Sequence, residues 1–238
     1  MHRAFDLLAM DYAHRGLWSP DGPPENSMAA FLEAASNGFG IELDVQLSSD
    51  GIPIVFHDPM LDRMTEATGP VWSQSAEDLT TIRLRGSSET IPTLKAVMDL
   101  MPAHVQILVE LKTSQADPHA YVIAVAKACE TARAGVAVKS FTPTLNQALR
   151  DLDVGDARGL LVNPRAIAGE DPFRDRIASL EPMGANFLSI RHEDLPALDG
   201  VDCPIAVWTV DSLEVAERAK AAGAALIFEH INPALVAP

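Results

Sequence analysis

The sequence predicts an α/β fold, a (β/α)8 TIM barrel, on three observations. Short apolar β-rich runs alternate with helical patterns, eight strand-helix units can be traced, and ionisable residues gather where the apolar runs close. Strict alternation is the pattern of a parallel sheet, and eight repeats are the number that closes one into a barrel. At 238 residues the chain is near the ~250 typical of one such barrel. No composition shift marks a second domain, so 1–238 is expected to be a single domain.

The first strand is expected over 7–13 and the second over 39–47, with a helix over 28–36 between them that Gly38 can end. Ser48-Ser49-Asp50-Gly51 is a turn signal, which makes 42–47 and 52–57 a hairpin extending the second strand. A two-residue Asp50-Gly51 turn would set His57 opposite Asp44. Residues 58–92 are polar, turn-rich and without period, and are expected to form a small insertion over the barrel mouth. Six more strands follow at 105–111, 136–140, 158–162, 186–190, 204–210 and 224–228. Asp117-Pro118, Thr142-Pro143 and Asp171-Pro172 each place a capping residue before a proline suited to the first helical turn. Leu145, Ala148, Leu149 and Leu152 make one apolar helical face, while Asp211 and Glu214 resemble a capping box whose helix Gly223 can stop. The pairs Gly38 and Gly40, and Gly155 and Gly159, read as turn glycines.

The formal net charge of -15 and pI near 4.7 oppose encounter with nucleic acid or an anionic membrane surface. Neither partner is expected, nor is stable membrane association, because no run of roughly 18 apolar residues occurs. Cys129 and Cys203 lie far apart in apolar stretches and are expected to be reduced thiols. Together these features predict a soluble, cytoplasmic protein acting on a small molecule; oligomeric state is not legible.

Glu42 and Asp44 are two residues apart on a strand and so face the same side. Two inward carboxylates repel unless a cation lies between them, and all-oxygen ligation suits Mg²⁺ or Ca²⁺; the bland reading is a salt-bridged or solvent-facing pair. Glu110 interrupts the run Gln106-Ile107-Leu108-Val109, and Lys112 follows on the same face. This pair would add a third metal ligand and a positive charge for an anionic substrate, or would be an ion pair unrelated to chemistry. His14 and His57 both close strands, and two histidines beside a metal and cations suit a paired general acid and base. Arg15 offers a planar fork for phosphate oxygens. His2, His104, His119, His192 and His230 lack such context. With no glycine-rich nucleotide cradle and no Ser or Cys nucleophile motif, the set favours phosphodiester chemistry.

His14-Arg15-Gly16, Pro24-Glu25-Asn26-Ser27, Glu42-Leu43-Asp44-Val45, Asp50-Gly51, His57-Asp58, Ile91-Pro92-Thr93-Leu94, Glu110-Leu111-Lys112, Ser140-Phe141 and Trp208-Thr209-Val210, in this order, resemble the glycerophosphodiester phosphodiesterase family. The resemblance implies a TIM barrel with a small insertion after the second histidine. It implies Glu42, Asp44 and Glu110 as metal ligands, His14 and His57 as catalytic residues, Arg15 and Lys112 as phosphate contacts, and Phe141 and Trp208 as pocket lining. The implied activity is metal-dependent hydrolysis of glycerophosphodiesters to glycerol 3-phosphate and an alcohol. The alternatives are a phospholipase D-like or lysophospholipid phosphodiesterase, and a non-catalytic barrel binding a phosphorylated metabolite. The chain departs from the family pattern at Glu229-His230-Ile231-Asn232-Pro233, where Thr-Asp-x-Pro is common, at Asp211 in place of Asn, and at Arg63-Met64-Thr65. These departures are expected to be outer positions that bear on the alcohol rather than on the chemistry. The related sphingomyelinase D group shares a similar metal site but fits less well, because this sequence shows neither a secretory signal nor a disulfide framework.

Overall fold

The computed structural model describes residues 5–114, 116–198 and 200–236. Eight strands run parallel around a closed barrel: β1 (Tyr12–His14), β2 (Gly40–Leu47), β4 (Ile107–Leu111), β5 (Val136–Ser140), β6 (Ala157–Leu161), β7 (Phe187–Arg191), β8 (Ile205–Val210) and β9 (Ala225–Phe228). Closure is through β1, which pairs with β9 on one side and β2 on the other. β3 (Pro53–Val55) adds antiparallel to β2.

The first strand is shorter than its apolar run. Leu7–Ala9 form a 3-10 turn capped by the Asp6 carboxylate, which accepts from Leu8 N at 3.0 Å. Leu7 is buried against Tyr12, Leu108, Phe187 and Ile227, so this turn closes the end of the barrel where the strands begin. An apolar run can be buried as a plug as well as a strand, and periodicity over seven residues does not separate the two.

Inside that end, large rings are accommodated by small neighbours. A Cβ at Gly159 would meet the Phe187 ring at 2.3 Å, and one at Gly40 would meet Tyr12 at 2.6 Å. Both glycines are therefore strand residues that make room for an aromatic ring, not turn residues.

The hairpin forms, but one residue out of the expected register. Val45 pairs with Val55 and Leu47 with Pro53, Ser48 N donates to Ile52 O at 3.0 Å, and Gly51 has φ of 77°. The turn thus has three residues, Ser49-Asp50-Gly51, with glycine in the left-handed position. Asp50 is held by Ser48 Oγ at 2.6 Å and accepts from Ala76 N at 2.9 Å, which fixes this longer turn. Phe56, not His57, lies across from Asp44, with Phe56 N donating to Asp44 O at 3.0 Å.

Helices follow most strands on the outside. α1 (Met28–Ser36) is capped by Ser27, which accepts from Ala30 N, and Gly38 takes a φ of 80° just beyond its end. Between β3 and the later helix α3 (Leu94–Leu100), a single-turn α2 (Ala76–Leu79) joins a small apolar cluster of its own, including Ile54, Phe56, Leu61, Leu79 and Ile91. α4 (Pro118–Cys129) starts as expected at Asp117, which accepts from Ala120 N at 2.9 Å. α5 (Pro143–Asp151) starts after Thr142, whose hydroxyl bonds Thr113 Oγ1 instead of the helix backbone.

Two helix starts differ from expectation. Asp171 lies inside α7 (Glu170–Ala178), which begins after Gly169 and follows a single-turn α6 (Arg165–Ala168). α8 (Leu213–Ala221) is capped by Ser212, one residue beyond Asp211. The unit after β7 carries a 3-10 segment, His192–Leu198, and that after β9 a short one, Pro233–Leu235, so among the described residues these two strands are not followed by an α-helix.

Candidate active site

Parallel register builds the site. His14 on β1 is beside Glu42 on β2, Asp44 on β2 is beside Glu110 on β4, and Glu110 is beside Lys139 on β5. Glu42 and Asp44 share the inward face, as their two-residue spacing requires. Glu42 and Asp44 are 1% exposed, Glu110 6%, and one oxygen from each lies within 4.8 Å of the others. This compact, all-oxygen donor set fits a hard divalent cation.

Carboxylates this deeply buried need compensation, and three cations supply it. Lys112 Nζ lies 2.7 Å from Asp44 Oδ1 and 2.5 Å from Glu110 Oε1. Lys139 Nζ lies 2.9 Å from Glu42 Oε1 and 3.7 Å from Glu110 Oε2. Arg15 Nε approaches Asp44 Oδ2 to 3.4 Å without a hydrogen bond, and its Nη1 donates to Glu25 at 3.1 Å. Asn26 Nδ2 donates to Asp44 Oδ2 at 2.9 Å. Burial pushes the Asp44 carboxyl upward, but Lys112 and Arg15 overcome it and hold the group well below its ordinary range. For Glu42 burial is likewise outweighed, chiefly by Lys139. Burial works against the Lys112 ammonium, which Asp44 and Glu110 nevertheless keep charged.

Each histidine has a carboxylate on Nδ1. His14 Nδ1 is 2.7 Å from Glu229 Oε2, and its Nε2 lies 4.0 Å from Glu42. His57 Nδ1 is 2.7 Å from Asp58 Oδ1. A carboxylate there selects the Nδ1–H tautomer of a neutral imidazole and leaves Nε2 as the working atom. Asp58 accepts from Arg63 Nε at 2.5 Å, and Arg63 Nη2 donates to Glu25 at 2.7 Å. Glu25 therefore ties the Arg15 loop to the segment carrying His57. Three left-handed non-glycine residues, Arg15 (φ 58°), Asn26 (φ 55°) and His230 (φ 58°), lie in the loops after β1 and β9, a local strain found where side chains must be aimed.

The cleft, ≈ 130 Å³, is lined by His14, Arg15, Glu42, His57, Glu110, Lys112, Lys139, Phe141 and Trp208. Phe141 and Trp208 meet edge to face at 5.8 Å, with the Arg191 guanidinium 5.9 Å from the Trp208 ring. His14, Arg15, Glu42, His57, Glu110, Lys112, Phe141 and Trp208 are thus brought together as the sequence predicts, with Asp44 buried behind them. His57 arrives despite the altered hairpin register because the ladder ends at Val55 and the chain turns away. Lys139 was not anticipated, although a lysine inside the apolar 136–140 run carries the same signal as Glu110 inside 105–111. Glu229, expected among the outer departures, instead holds His14. His104 and His119 are exposed, His192 and His230 lie outside the cleft, and His2 is outside the described residues.

Burial pushes the Asp58 carboxyl up, but hydrogen bonds from Arg63 and His57 bring it from 3.8 down to about 2. A depressed carboxylate stabilises the fold above its unfolded pKa and loses that contribution as pH falls through the folded value. Asp58→Asn is therefore expected to lower the melting temperature at neutral pH and to flatten its decline between pH 3.8 and about 2. Thermal melts across that window check it; parallel curves for both proteins would mean that Asp58 gives no linkage.

Fold and site together define a (β/α)8 barrel protein with an acidic centre, flanked by cations and two oriented histidines, at the mouth where the strands end. The model of the glycerophosphoryl diester phosphodiesterase family matches residues 14–231, and the chain belongs to that family. It is similar to glycerophosphodiester phosphodiesterase 1 of Homo sapiens, 38% identical over 110 residues that cover 42% of this chain and 33% of that protein. A glycerophosphodiester phosphodiesterase of Bacillus altitudinis is 39% identical over 116 residues, 43% of this chain and 45% of that protein. Both relatives are thus matched over less than half their own length. The fold is shared with an Oleispira antarctica phosphodiesterase solved in complex with the product sn-glycerol-3-phosphate, at 22% identity and a TM-score of 0.80, over 94% of each chain. It is also shared with a glycerophosphodiester phosphodiesterase from Agrobacterium tumefaciens, at 24% identity and a TM-score of 0.72, over 94% of this chain and 97% of that one. Among the described residues no helix is long and apolar enough to cross a membrane.

Proposed function

We propose that this chain is a metal-dependent phosphodiesterase that cleaves glycerophosphodiesters, such as glycerophosphocholine, to glycerol 3-phosphate and the free alcohol. The observation that carries this reading is the buried triad Glu42, Asp44 and Glu110, with oxygens within 4.8 Å, beside two histidines whose Nε2 atoms are left free by carboxylates on Nδ1. Family membership supports it, as does the glycerol 3-phosphate bound by the Oleispira antarctica neighbour. Residues 1–238 act as one domain, and 58–92 is an insertion over the mouth that supplies Asp58 and Arg63. The acidic surface fits a soluble, cytoplasmic enzyme whose partner is a small diester, not nucleic acid or a bilayer.

Glu42, Asp44 and Glu110 would hold the divalent ion, Mg²⁺ or Ca²⁺, which supplies Lewis-acid stabilisation of charge on the phosphate oxygens. Arg15 and Lys112 orient the phosphate, while Phe141 and Trp208 wall the cleft. One histidine takes the proton of the substrate's glycerol 2-hydroxyl as that oxygen bonds to phosphorus. The phosphorus–oxygen bond to the alcohol breaks, and the other histidine gives the alcohol its proton. A water then opens the resulting five-membered cyclic phosphate, with the histidine roles reversed. No Ser or Cys lines the cleft, which leaves the substrate hydroxyl or a water as the attacking group.

The test is turnover of a glycerophosphodiester and its 2-deoxy analogue after chelation and metal add-back, with ³¹P NMR to detect the cyclic species. The deoxy analogue is expected to lose far more in kcat than in binding, because only the transition state uses that hydroxyl. Equal turnover would replace internal attack by direct attack of water. Binding of glycerol 3-phosphate with no turnover of any diester would leave a non-catalytic barrel, and faster turnover of a lysophospholipid would reassign the substrate.

A further inference from the structure

Lys139 is the next-to-last residue of β5, with its side chain inside the barrel and 2% exposed. Its ammonium is shared between two members of the triad, 2.9 Å from Glu42 and 3.7 Å from Glu110. The other lysine of the site is different. Lys112 lies just beyond β4 at the rim with a side chain 20% exposed, so it can swing toward solvent or substrate. Lys139 is far more enclosed, and withdrawing its charge from both carboxylates would leave it unpaired in the interior.

The carboxylates of the centre are already partly compensated without a metal, although Arg15 is shared with Glu25. Three carboxylates, Glu42, Asp44 and Glu110, face three cations, Arg15, Lys112 and Lys139. A divalent ion held by Glu42 and Glu110 would share their oxygens with this buried ammonium.

We infer that Lys139 is a resident cation of the acidic centre, competing for Glu42 and Glu110 and setting the divalent-metal affinity of this chain below that of the triad alone. The inference rests on the metal reading proposed above. Through it, Lys139 is a positioning residue: it gathers the Glu42 and Glu110 carboxylates before a metal arrives, and limits how tightly the metal is held. A single positive charge about 3 Å from the ligands is enough to change the affinity of a second cation by an order of magnitude or more at protein-like dielectric.

The full-length protein, stripped with EDTA, is titrated with Mg²⁺ by calorimetry as wild type, Lys139→Met and Lys139→Gln, with melting temperatures recorded with and without the metal. Both variants are expected to bind Mg²⁺ at least about tenfold more tightly than wild type. They are also expected to melt lower than wild type without the metal, where Glu42 and Glu110 have lost a partner, and to gain more on adding it. A Met variant that folds only with Mg²⁺ gives the same answer. Unchanged or weaker affinity in a folded variant, including one whose only defect is a raised KM, overturns the inference and leaves the metal site standing. Two variants that stay unfolded with and without Mg²⁺ make Lys139 a purely structural residue and overturn it too. If wild type and variants all fail to bind Mg²⁺ or Ca²⁺ while wild type turns over in EDTA, the metal reading itself falls and takes the inference with it.

Discussion

Asp44→Ala is expected to abolish turnover, with kcat down by a factor on the order of 10³ or more, because metal charge stabilisation contributes several kcal/mol to such a step. Three groups converge on the Asp44 carboxylate: Lys112 at 2.7 Å, Asn26 at 2.9 Å and Arg15 at 3.4 Å. Truncation removes a proposed metal ligand and leaves two half-buried cations, Lys112 and Arg15, underpaired, so stability falls as well. Asp44→Asn separates these effects. It keeps the volume but replaces a bidentate anion by a neutral amide, so metal affinity falls while the fold is better kept. Glu42→Ala should match it in activity, with Lys139 as the charge left behind. Mg²⁺ calorimetry on variants shown to be folded, together with turnover, is the check. Undiminished metal affinity and activity in both would remove the metal from the mechanism.

What the sequence showed and what it hid follow physical lines. Glu42, Asp44 and Glu110 were legible because charge inside an apolar strand is costly and rarely accidental, and the two-residue spacing fixes a common face. Lys139 obeys the same logic, yet a lone strand lysine has an innocent reading as a snorkelling side chain. Its partners Glu42 and Glu110 become visible only when β2, β4 and β5 are set side by side. Register across a turn depends on its length, and the Asp50 contacts that select three residues over two involve Ala76, remote in sequence. Cap residues were ambiguous for a similar reason: Asp211 and Ser212 can both start a helix, and the fold chose the serine. Glu229 was hidden because its significance lies wholly in reaching His14 from the opposite end of the chain.

His14→Ala and His57→Ala are each expected to lower kcat by a factor on the order of 10²–10⁴, the usual contribution of a positioned acid or base. Both folds should survive, since each side chain lies at the mouth outside the apolar core, His14 closing β1 and His57 two residues beyond β3. Magnitude alone does not distinguish the two roles, because both dyads have the same form: imidazole Nδ1 on a carboxylate at 2.7 Å. The leaving group does. An alcohol of ordinary basicity must be protonated as it departs, whereas a nitrophenolate leaves as the anion and has no use for a general acid. With a glycerol nitrophenyl phosphodiester, the variant lacking the acid is therefore expected to recover most of its rate, and the variant lacking the base to stay impaired. Glu229→Gln and Asp58→Asn should each reproduce, in milder form, the pattern of the histidine they orient. The measurement is kcat for both substrates at saturation and optimum pH. Losses under tenfold for either histidine with the natural diester would make that residue structural. If neither variant distinguishes the two leaving groups, the paired acid and base are wrong even though the metal site stands.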